Sequence, residues 1–388
     1  MNSDIIRQAV ATGCANSPKA KILQVGKYYP PHRGGIETYL QTLCCALQDQ
    51  FDVQVVVASD DDKASQEVLD GVSVCRVATK WTLSSAPLCP GMISKIRASD
   101  ADIVHIHLPN PMAALAYLAS GHRGQLVVSY HSDTVRQRVL GTFFEPFLHR
   151  LLRRSSAIIV SSPHYQETSS VLANYRDRCH VIPYGIDLNT FEHPNLADVA
   201  RLRQQYGDRL VISVGRLVYY KGFEYLIRAM KDVRGRLLII GDGPLRAKLR
   251  DLAAQSKISD KICFAGIVPD DLSPYYHAAD VFVLASIARS EAFGIVQIEA
   301  MASGLPVVNT QLDSGVPFVS LHGQTGLTVP PADSESLAKA INRLLDDEAL
   351  RRSLGNAARL RARQEFSLEA MVNRTMALYS TVMPPRSG

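Results

Sequence analysis

Short apolar runs that end at a glycine or a polar residue alternate along this chain with segments whose apolar positions recur every three or four residues. Residues 21–26 (KILQVG) form the first such run and predict a buried strand. A loop rich in Pro and Gly follows at 28–35, and then Ile36, Tyr39, Leu40, Leu43 and Leu47 mark one face of a helix over 36–47. Residues 52–58, 102–107, 125–130 and 157–161 continue the strand series. Strands separated by helical stretches of this kind give βαβ units and a parallel sheet.

The pattern changes within 183–205, where the turn Pro183-Tyr184-Gly185 precedes a polar stretch around His193-Pro194-Asn195. After it the alternation restarts: strand 210–215, helix from about 222, strand 236–240, helix from 244, strands 262–266 and 281–284, helix 294–302 and strand 306–308. The tail over 334–383 is rich in Leu, Ala and Arg and reads as helical. At roughly 100–200 residues per domain, a chain of 388 residues holds two. The expected division is a loosely ordered leader at 1–20, one Rossmann-like domain at 21–190 and a second at 191–365. A last helix at 366–388 is expected to pack back on the first domain. The fold class is therefore α/β, two doubly wound parallel sheets with a ligand cleft facing the carboxyl ends of their strands.

Composition narrows the function classes. Hydrophobic residues make up 46% and charged residues 20%, as in ordinary globular proteins. The formal charge is +5, and Lys and Arg are spread rather than gathered into the stripe usual for nucleic-acid binders; the balance fits a small anionic ligand or an anionic membrane as well as it fits nucleic acid, and no nucleic-acid partner is expected. Seven cysteines at irregular spacing, without C-x-x-C, point to free thiols in a reducing cytosol rather than to disulfides or zinc. The polar start, with Asp4, lacks the continuous apolar core of a secretory signal, and none is expected. No run approaches the roughly 18–20 apolar residues of a spanning helix. A cytoplasmic protein is expected, with room for contact at the inner membrane face.

Several glycines stand where a strand gives way to a helix. Gly34-Gly35 and Gly241-Asp242-Gly243 are such places, and a helix N-terminus reached through glycine suits a phosphate; each also reads as a plain turn. Arg246 stands where a dinucleotide fingerprint would carry its third glycine. Gly215-Arg216 leaves a strand, and Lys221-Gly222 follows before a helix. Together they place a chelating guanidinium and a compact ammonium where a diphosphate would lie. The most informative stretch runs from Glu291 through Phe293, Gly294 and Ile295 to Glu299. With a helix from 294, the rise of about 1.5 Å per residue would set the two carboxylates roughly 12 Å apart, about the span from ribose to sugar in a nucleotide sugar.

These residues, with His131 and Gly304-Leu305-Pro306-Val307-Val308, resemble the retaining GT-B glycosyltransferases of family four, over most of the chain. The resemblance implies that Gly34, Gly35, Gly215, Gly241 and Gly243 approach the donor closely and that Arg216 and Lys221 bind its diphosphate. It implies that Phe293, Gly294 and Ile295 lend backbone amides, that Glu291 holds the donor sugar and Glu299 the ribose, and that His131 sits by the transferred sugar. His131, Glu291, Arg216 and Lys221 are the candidate catalytic set. The resemblance also implies that the leaving phosphate helps deprotonate the acceptor, so that no dedicated nucleophile is needed; no metal or cofactor is expected. Two positions depart from the commoner pattern: Ala285 replaces a frequent Pro, and Ser314-Gly315-Val316 stands where a Gly-Gly pair before an acid is usual.

Other features compete for attention. Asp60-Asp61-Asp62 could hold a metal but reads better as a solvated loop. His105 and His107 share a strand face and lack a third ligand, so they are expected to line the cleft. His32, His164 and His322 are expected at the surface. Residues 135–154 interleave Phe143, Phe144, Phe147, Leu148, Leu151 and Leu152 with Arg136, Arg138, Arg150, Arg153 and Arg154, a pattern for a helix that either packs on a core or lies on an anionic bilayer.

The expected function is retaining transfer of a hexose from a nucleotide-diphosphate sugar, GDP-mannose first. The expected acceptor is a saccharide or a polyprenyl-diphosphate-linked acceptor, a lipid-linked saccharide first, in cell-surface polysaccharide or lipopolysaccharide assembly. The alternatives are a UDP-sugar enzyme with a small acceptor, an epimerase or phosphorylase on the same fold, and a non-catalytic nucleotide-binding regulator.

Overall fold

The computed structural model describes residues 19–32, 34–83, 86–132, 138–268 and 271–383. Most of the expected leader, Cys14, Asp133 and Arg136 lie outside the described residues, as do the side chains of Arg138 and Phe143. Sixteen strands are described: β1 (Ala20–Val25), β2 (Phe51–Ala58), β3 (Ser65–Leu69), β4 (Val72–Val77), β5 (Trp81–Leu83), β6 (Ala86–Leu88), β7 (Ile103–Leu108) and β8 (Gln125–Tyr130) come first. They are followed by β9 (Ala157–Val160), β10 (Cys179–Val181), β11 (Leu210–Val214), β12 (Arg236–Ile240), β13 (Ile262–Gly266), β14 (Val281–Val283), β15 (Val307–Thr310) and β16 (Gly326–Val329).

Two compact units emerge. The first comprises the described residues of Met1–Val128, Arg154–Ser156 and Val382–Gly388; the second comprises those of Ser129–Arg153 and Ala157–Thr381. In the first unit the strand order is β8-β7-β1-β2-β4-β3. β1 pairs in parallel with both β2 and β7. β2 is parallel to β4, whereas β3 closes the edge antiparallel to β4. The order reverses between β1 and β7, and the loop carrying Gly34 and Gly35 leaves β1 at that switch point.

The second unit carries a six-stranded sheet in the order β13-β12-β11-β14-β15-β16, parallel throughout. Its strands are buried on both faces, which is why they read in sequence as unbroken apolar runs. Alternate residues of β11 serve opposite layers. Val211 packs with Leu226, Ile227, Leu249, Ile341 and Leu344, while Leu210, Ile212 and Val214 pack with Ile298, Met301, Ala358 and Phe366. Each fully buried side chain of this kind contributes roughly 1.5–3 kcal/mol, so the strand ends are held on a rigid base. The order reverses between β11 and β14, and the loops leaving those two strands carry Gly215 to Lys221 and Ala285 to Glu291. Ligands of doubly wound sheets bind at such a point.

The tail is helical as predicted, in three pieces: Ser334–Asp346, Glu348–Glu365 and Leu368–Val382. Ile186 donates its amide to the Phe366 carbonyl, and the Leu368 amide returns to the Ile186 carbonyl, at 3.0 and 2.8 Å. This ties the segment after β10 to the start of the last helix. No helix among the described residues is long and apolar enough to cross a membrane. The helix Arg138–Arg154 contains Pro146, buries Leu151 and Leu152, and leaves Phe147 exposed. Arg150, Arg153 and Arg154 are also exposed on it.

Candidate active site

The site is built where β11, β12 and β14 end. The Gly215 amide donates to the Ile240 carbonyl at 2.9 Å, and the Gly241 amide to the Gly266 carbonyl at 2.8 Å. At Gly241 φ is +131°, and a Cβ there would sit 2.1 Å from the Gly215 carbonyl oxygen. Only glycine lets the two strand exits lie backbone against backbone. Asp242 accepts from the Gly243 amide and from Arg246, both at 2.7 Å, and these bonds hold its carboxyl below the usual range. Arg246, out of place for a dinucleotide fingerprint, thus braces this turn.

Gly222 closes the loop from β11. Its φ is +66°, and a Cβ would collide with the Ala285 carbonyl oxygen at 2.0 Å. The Ile287 amide also donates to the Tyr220 carbonyl at 2.8 Å, so the loops leaving β11 and β14 are bonded to each other. That contact brings Lys221 to Glu291. Its ammonium lies 2.5 Å from Oε2, with side chains only 12% and 10% exposed. Ser286 donates its hydroxyl to the same oxygen at 3.1 Å. Arg216, by contrast, is exposed and forms no ion pair or hydrogen bond through its side chain among the described residues. One cation is fixed by an acid, and a second stands free at the strand exit.

The stretch after Glu291 differs from the sequence expectation. Gly294 takes φ +74°, and the helix begins at Val296, with Ile295 as its cap, not at Gly294. Residues 291–295 form an irregular turn, so the helical rise does not set the distance between the two acids. The turn is held from below. Gln297 donates to the Phe293 carbonyl at 3.1 Å and accepts from Asn309 at 3.0 Å. The Gly315 amide donates to the Ala292 carbonyl at 2.7 Å. Phe293 is buried against Tyr184, Phe318 and Phe366, with ring centroids 4.9, 6.4 and 5.9 Å away.

Glu299 lies in the first turn of the helix Val296–Ala302 and accepts from the Tyr276 hydroxyl at 2.7 Å. Burial pushes its carboxyl up, opposed by that hydrogen bond and by the charge of Lys221. Lys221 is therefore the electrostatic neighbour of both acids. Burial likewise pushes the Tyr276 phenol well up. His131, just past β8, is buried, with Nδ1 2.7 Å from the Tyr184 hydroxyl and the two rings stacked at 5.7 Å. Burial pushes its imidazolium down to about 3, so the ring is neutral at physiological pH. Through Tyr184 it reaches Phe293, so His131, Tyr184 and the turn after Glu291 form one packed chain. Tyr184, Tyr276 and Ser286 were not singled out from sequence; Tyr184 stood out there only as part of a turn.

Gly34 and Gly35 belong to the first unit. Gly34 is extended and caps the helix Gly35–Leu47, and the Glu37 carboxylate folds back over it, 2.1 Å from where a Cβ would stand. In the same unit His105 and His107 do not line an open surface. They are 0% and 1% exposed, and His107 Nε2 pairs with Gln24 at 2.9 Å, so this is buried polar packing between β1 and β7. Asp61 accepts from Ser59 and from the Lys63 amide at 2.8 and 2.9 Å, as a loop-forming acid does. Among the described residues no group of three or more His, Cys, Asp or Glu could hold a metal ion. The six described cysteines are all free; Cys44 and Cys89 are buried and Cys263 is exposed.

Comparison with known proteins fits this geometry. The model for glycosyl transferases group 1 matches residues 197–361, and the model for glycosyltransferase family 4 matches 33–190. The chain is 30% identical to the O-antigen chain mannosyltransferase C of Escherichia coli, over 95% of this chain and 100% of that protein. It is 32% identical to the D-rhamnosyltransferase WbpZ of Pseudomonas aeruginosa, over 86% and 88%. Among solved structures, the sucrose-phosphate synthase of Thermosynechococcus elongatus superposes with a TM-score of 0.77 at 25% identity, covering 94% of this chain and 99% of that one. The chain therefore belongs to the group 1 glycosyltransferases and has their GT-B fold.

Proposed function

We propose that the chain is a retaining hexosyltransferase. It moves mannose from GDP-mannose to a lipid-linked saccharide during assembly of a cell-surface polysaccharide or lipopolysaccharide, on the cytoplasmic side of the membrane. The observation that carries this reading is Lys221, paired with Glu291 at a strand exit that also presents Arg216, whose side chain is unpaired among the described residues. Two cations at one strand exit suit a diphosphate. Arg216 offers a fork of donors, and Lys221 has three, of which Glu291 uses one. Glu291 and Glu299 then take sugar and ribose hydroxyls on either side.

In this reading the bond from the sugar's anomeric carbon to phosphate breaks, and the acceptor oxygen bonds to that carbon on the same face. The acceptor's proton passes to the leaving phosphate oxygen. Arg216, Lys221 and nearby amides stabilise the charge that grows on the diphosphate, the largest contribution such sites make. Neutral His131 with Tyr184 lines the sugar's position, and no metal enters the step. The O-antigen chain mannosyltransferase among the relatives supports mannose as the transferred sugar and the pathway class. The exposed Phe147 and the neighbouring arginines of the helix Arg138–Arg154 suit contact with an anionic inner leaflet.

The test is a donor panel of GDP-, UDP- and ADP-sugars in EDTA, with lipid extract as acceptor and the product's anomeric configuration read by NMR. Transfer from GDP-mannose with retained configuration is expected, as is loss of turnover in a folded Glu291→Ala. Nucleotide binding without turnover of any donor would favour a regulator, and turnover only with added metal would remove the metal-free step.

A further inference from the structure

The second unit contains a cavity of about 300 Å³ between the helix Pro163–Thr168 and the segment that leaves β15. His164, Glu167, Gln311, Ser314, Pro317 and Phe318 line it. We propose that it is the subsite for one pyranose ring of the acceptor saccharide. This deepens the transferase reading and rests on it.

Size is the first argument. Pockets for drug-sized ligands run from about 300 to 1,000 Å³, so this one admits a single ring rather than a nucleotide or a lipid tail. Chemistry is the second. Phe318 and Pro317 give an apolar wall, and Glu167, Gln311 and His164 give a polar rim. A pyranose has the matching character, with a C–H face that suits the negative face of an aromatic ring and hydroxyls at its edge. The third argument is an unmet need. His164 Nε2 is buried and makes no hydrogen bond; an oxygen of Asp313 lies 3.5 Å away as an ion-pair contact only. A native structure rarely leaves a buried ring nitrogen so, and a sugar hydroxyl would complete it.

Position ties the cavity to the reaction. Its wall from Ser314 to Phe318 is bonded to the turn after Glu291 through the Gly315 amide and the Ala292 carbonyl. Phe318 meets Phe293 at 6.4 Å, and Arg361 holds Phe318 in place. The Arg361 guanidinium stands 5.2 Å from the ring centroid and donates to the Phe318 and Val319 carbonyls at 2.8 and 3.1 Å. A ring seated there would share its Phe318 wall with the turn that follows Glu291.

Two measurements on the full chain test this. Saturation-transfer NMR with methyl α-D-mannopyranoside compares wild type with Glu167→Gln, Phe318→Ala and Phe318→Tyr. Initial rates with GDP-mannose and lipid extract give acceptor and donor KM for the same proteins. Wild type should bind the glycoside; Glu167→Gln and Phe318→Ala should weaken binding and raise acceptor KM about tenfold. Phe318→Tyr should stay within about twofold of wild type, and donor KM should move less than acceptor KM throughout. Because Glu167 is exposed, Glu167→Gln carries the test if Phe318→Ala lowers Tm sharply. No glycoside signal on wild type, equal acceptor KM in Glu167→Gln, or a rise in donor KM instead would overturn the subsite. Wild type that binds the glycoside, with binding weakened in Glu167→Gln, but turns over no donor would overturn the transferase reading and with it the acceptor role, leaving the cavity a saccharide site only.

Discussion

Lowering the pH should destabilise this protein through His131 by an amount that its surroundings fix. His131 is 6% exposed beside Tyr184, and burial pushes its pKa from 6.5 down to about 3. The native ring therefore binds no proton between those values, whereas the unfolded chain takes one up as the pH falls below 6.5. The stability this site contributes is complete above the unfolded pKa and drains away down to the native one. Between pH 7 and pH 5 the loss is RT ln[(1 + 10^1.5)/(1 + 10^−0.5)], about 2 kcal/mol. Urea unfolding of wild type and His131→Phe at the two pH values isolates it, because every other titrating group is shared. Wild type should lose about 2 kcal/mol more than the variant on going to pH 5. A pH slope unchanged by His131→Phe, or a His131 ring resonance that titrates between pH 6 and 7, would refute the reasoning. The same neutrality means that the pH–rate profile should carry no limb from His131.

Lys221→Met strips a buried acid of its partner and should cost about 3–5 kcal/mol, seen as a lower Tm by calorimetry, along with loss of turnover; an unchanged Tm would mean that the ion pair does not form. In Glu299→Gln, a carboxyl whose pKa is raised by burial becomes permanently neutral while it can still accept from Tyr276. Because a raised acid costs stability above its unfolded pKa, Tm at pH 8 should rise; nucleotide affinity should fall, as titration calorimetry would show. Gly241→Ala forces a Cβ against the Gly215 carbonyl at an unfavourable φ, and should cost about 1–3 kcal/mol and weaken donor binding. Wild-type affinity there would show that the two strand exits are not packed as described.

How legible the fold was depended on burial. β12 and β13 lie at the positions the sequence predicts, because strands buried on both faces leave continuous apolar runs closed by glycine or a polar turn. β3 and β4 went unmarked because β3 (SQEVL) is an exposed edge with little apolar pattern. A signal was nevertheless present: Asp70-Gly71, with φ of +50° and +81°, is a two-residue hairpin turn between alternating segments. β10 and β16, three and four residues long, are too short for periodicity to register. The helix start was misplaced because Ile295 continues the apolar spacing of Ile298, while the positive φ of Gly294 that breaks the helix leaves no trace in that pattern.

At the site, residue types were readable and pairings were not. Arg216, Lys221, Glu291 and Glu299 stood out by their place at strand exits. That Lys221 pairs with Glu291, and Glu299 with Tyr276, depends on β14 lying beside β11, which is a property of sheet order rather than of local sequence. His131 and Tyr184, 53 residues apart, meet for the same kind of reason. His105 and His107 misled because a polar residue on a strand suggests an open surface, whereas here Gln24 on the neighbouring strand satisfies His107 inside the sheet.

A crystal structure with GDP-mannose bound, grown in EDTA, is the most direct trial of the central claim. The pyrophosphate oxygens should lie within hydrogen-bonding distance of the Arg216 guanidinium and the Lys221 ammonium, with Glu299 on the ribose and Glu291 on the hexose. A nucleotide seated away from Arg216 and Lys221, or one whose phosphates are held by a metal ion instead, would contradict it.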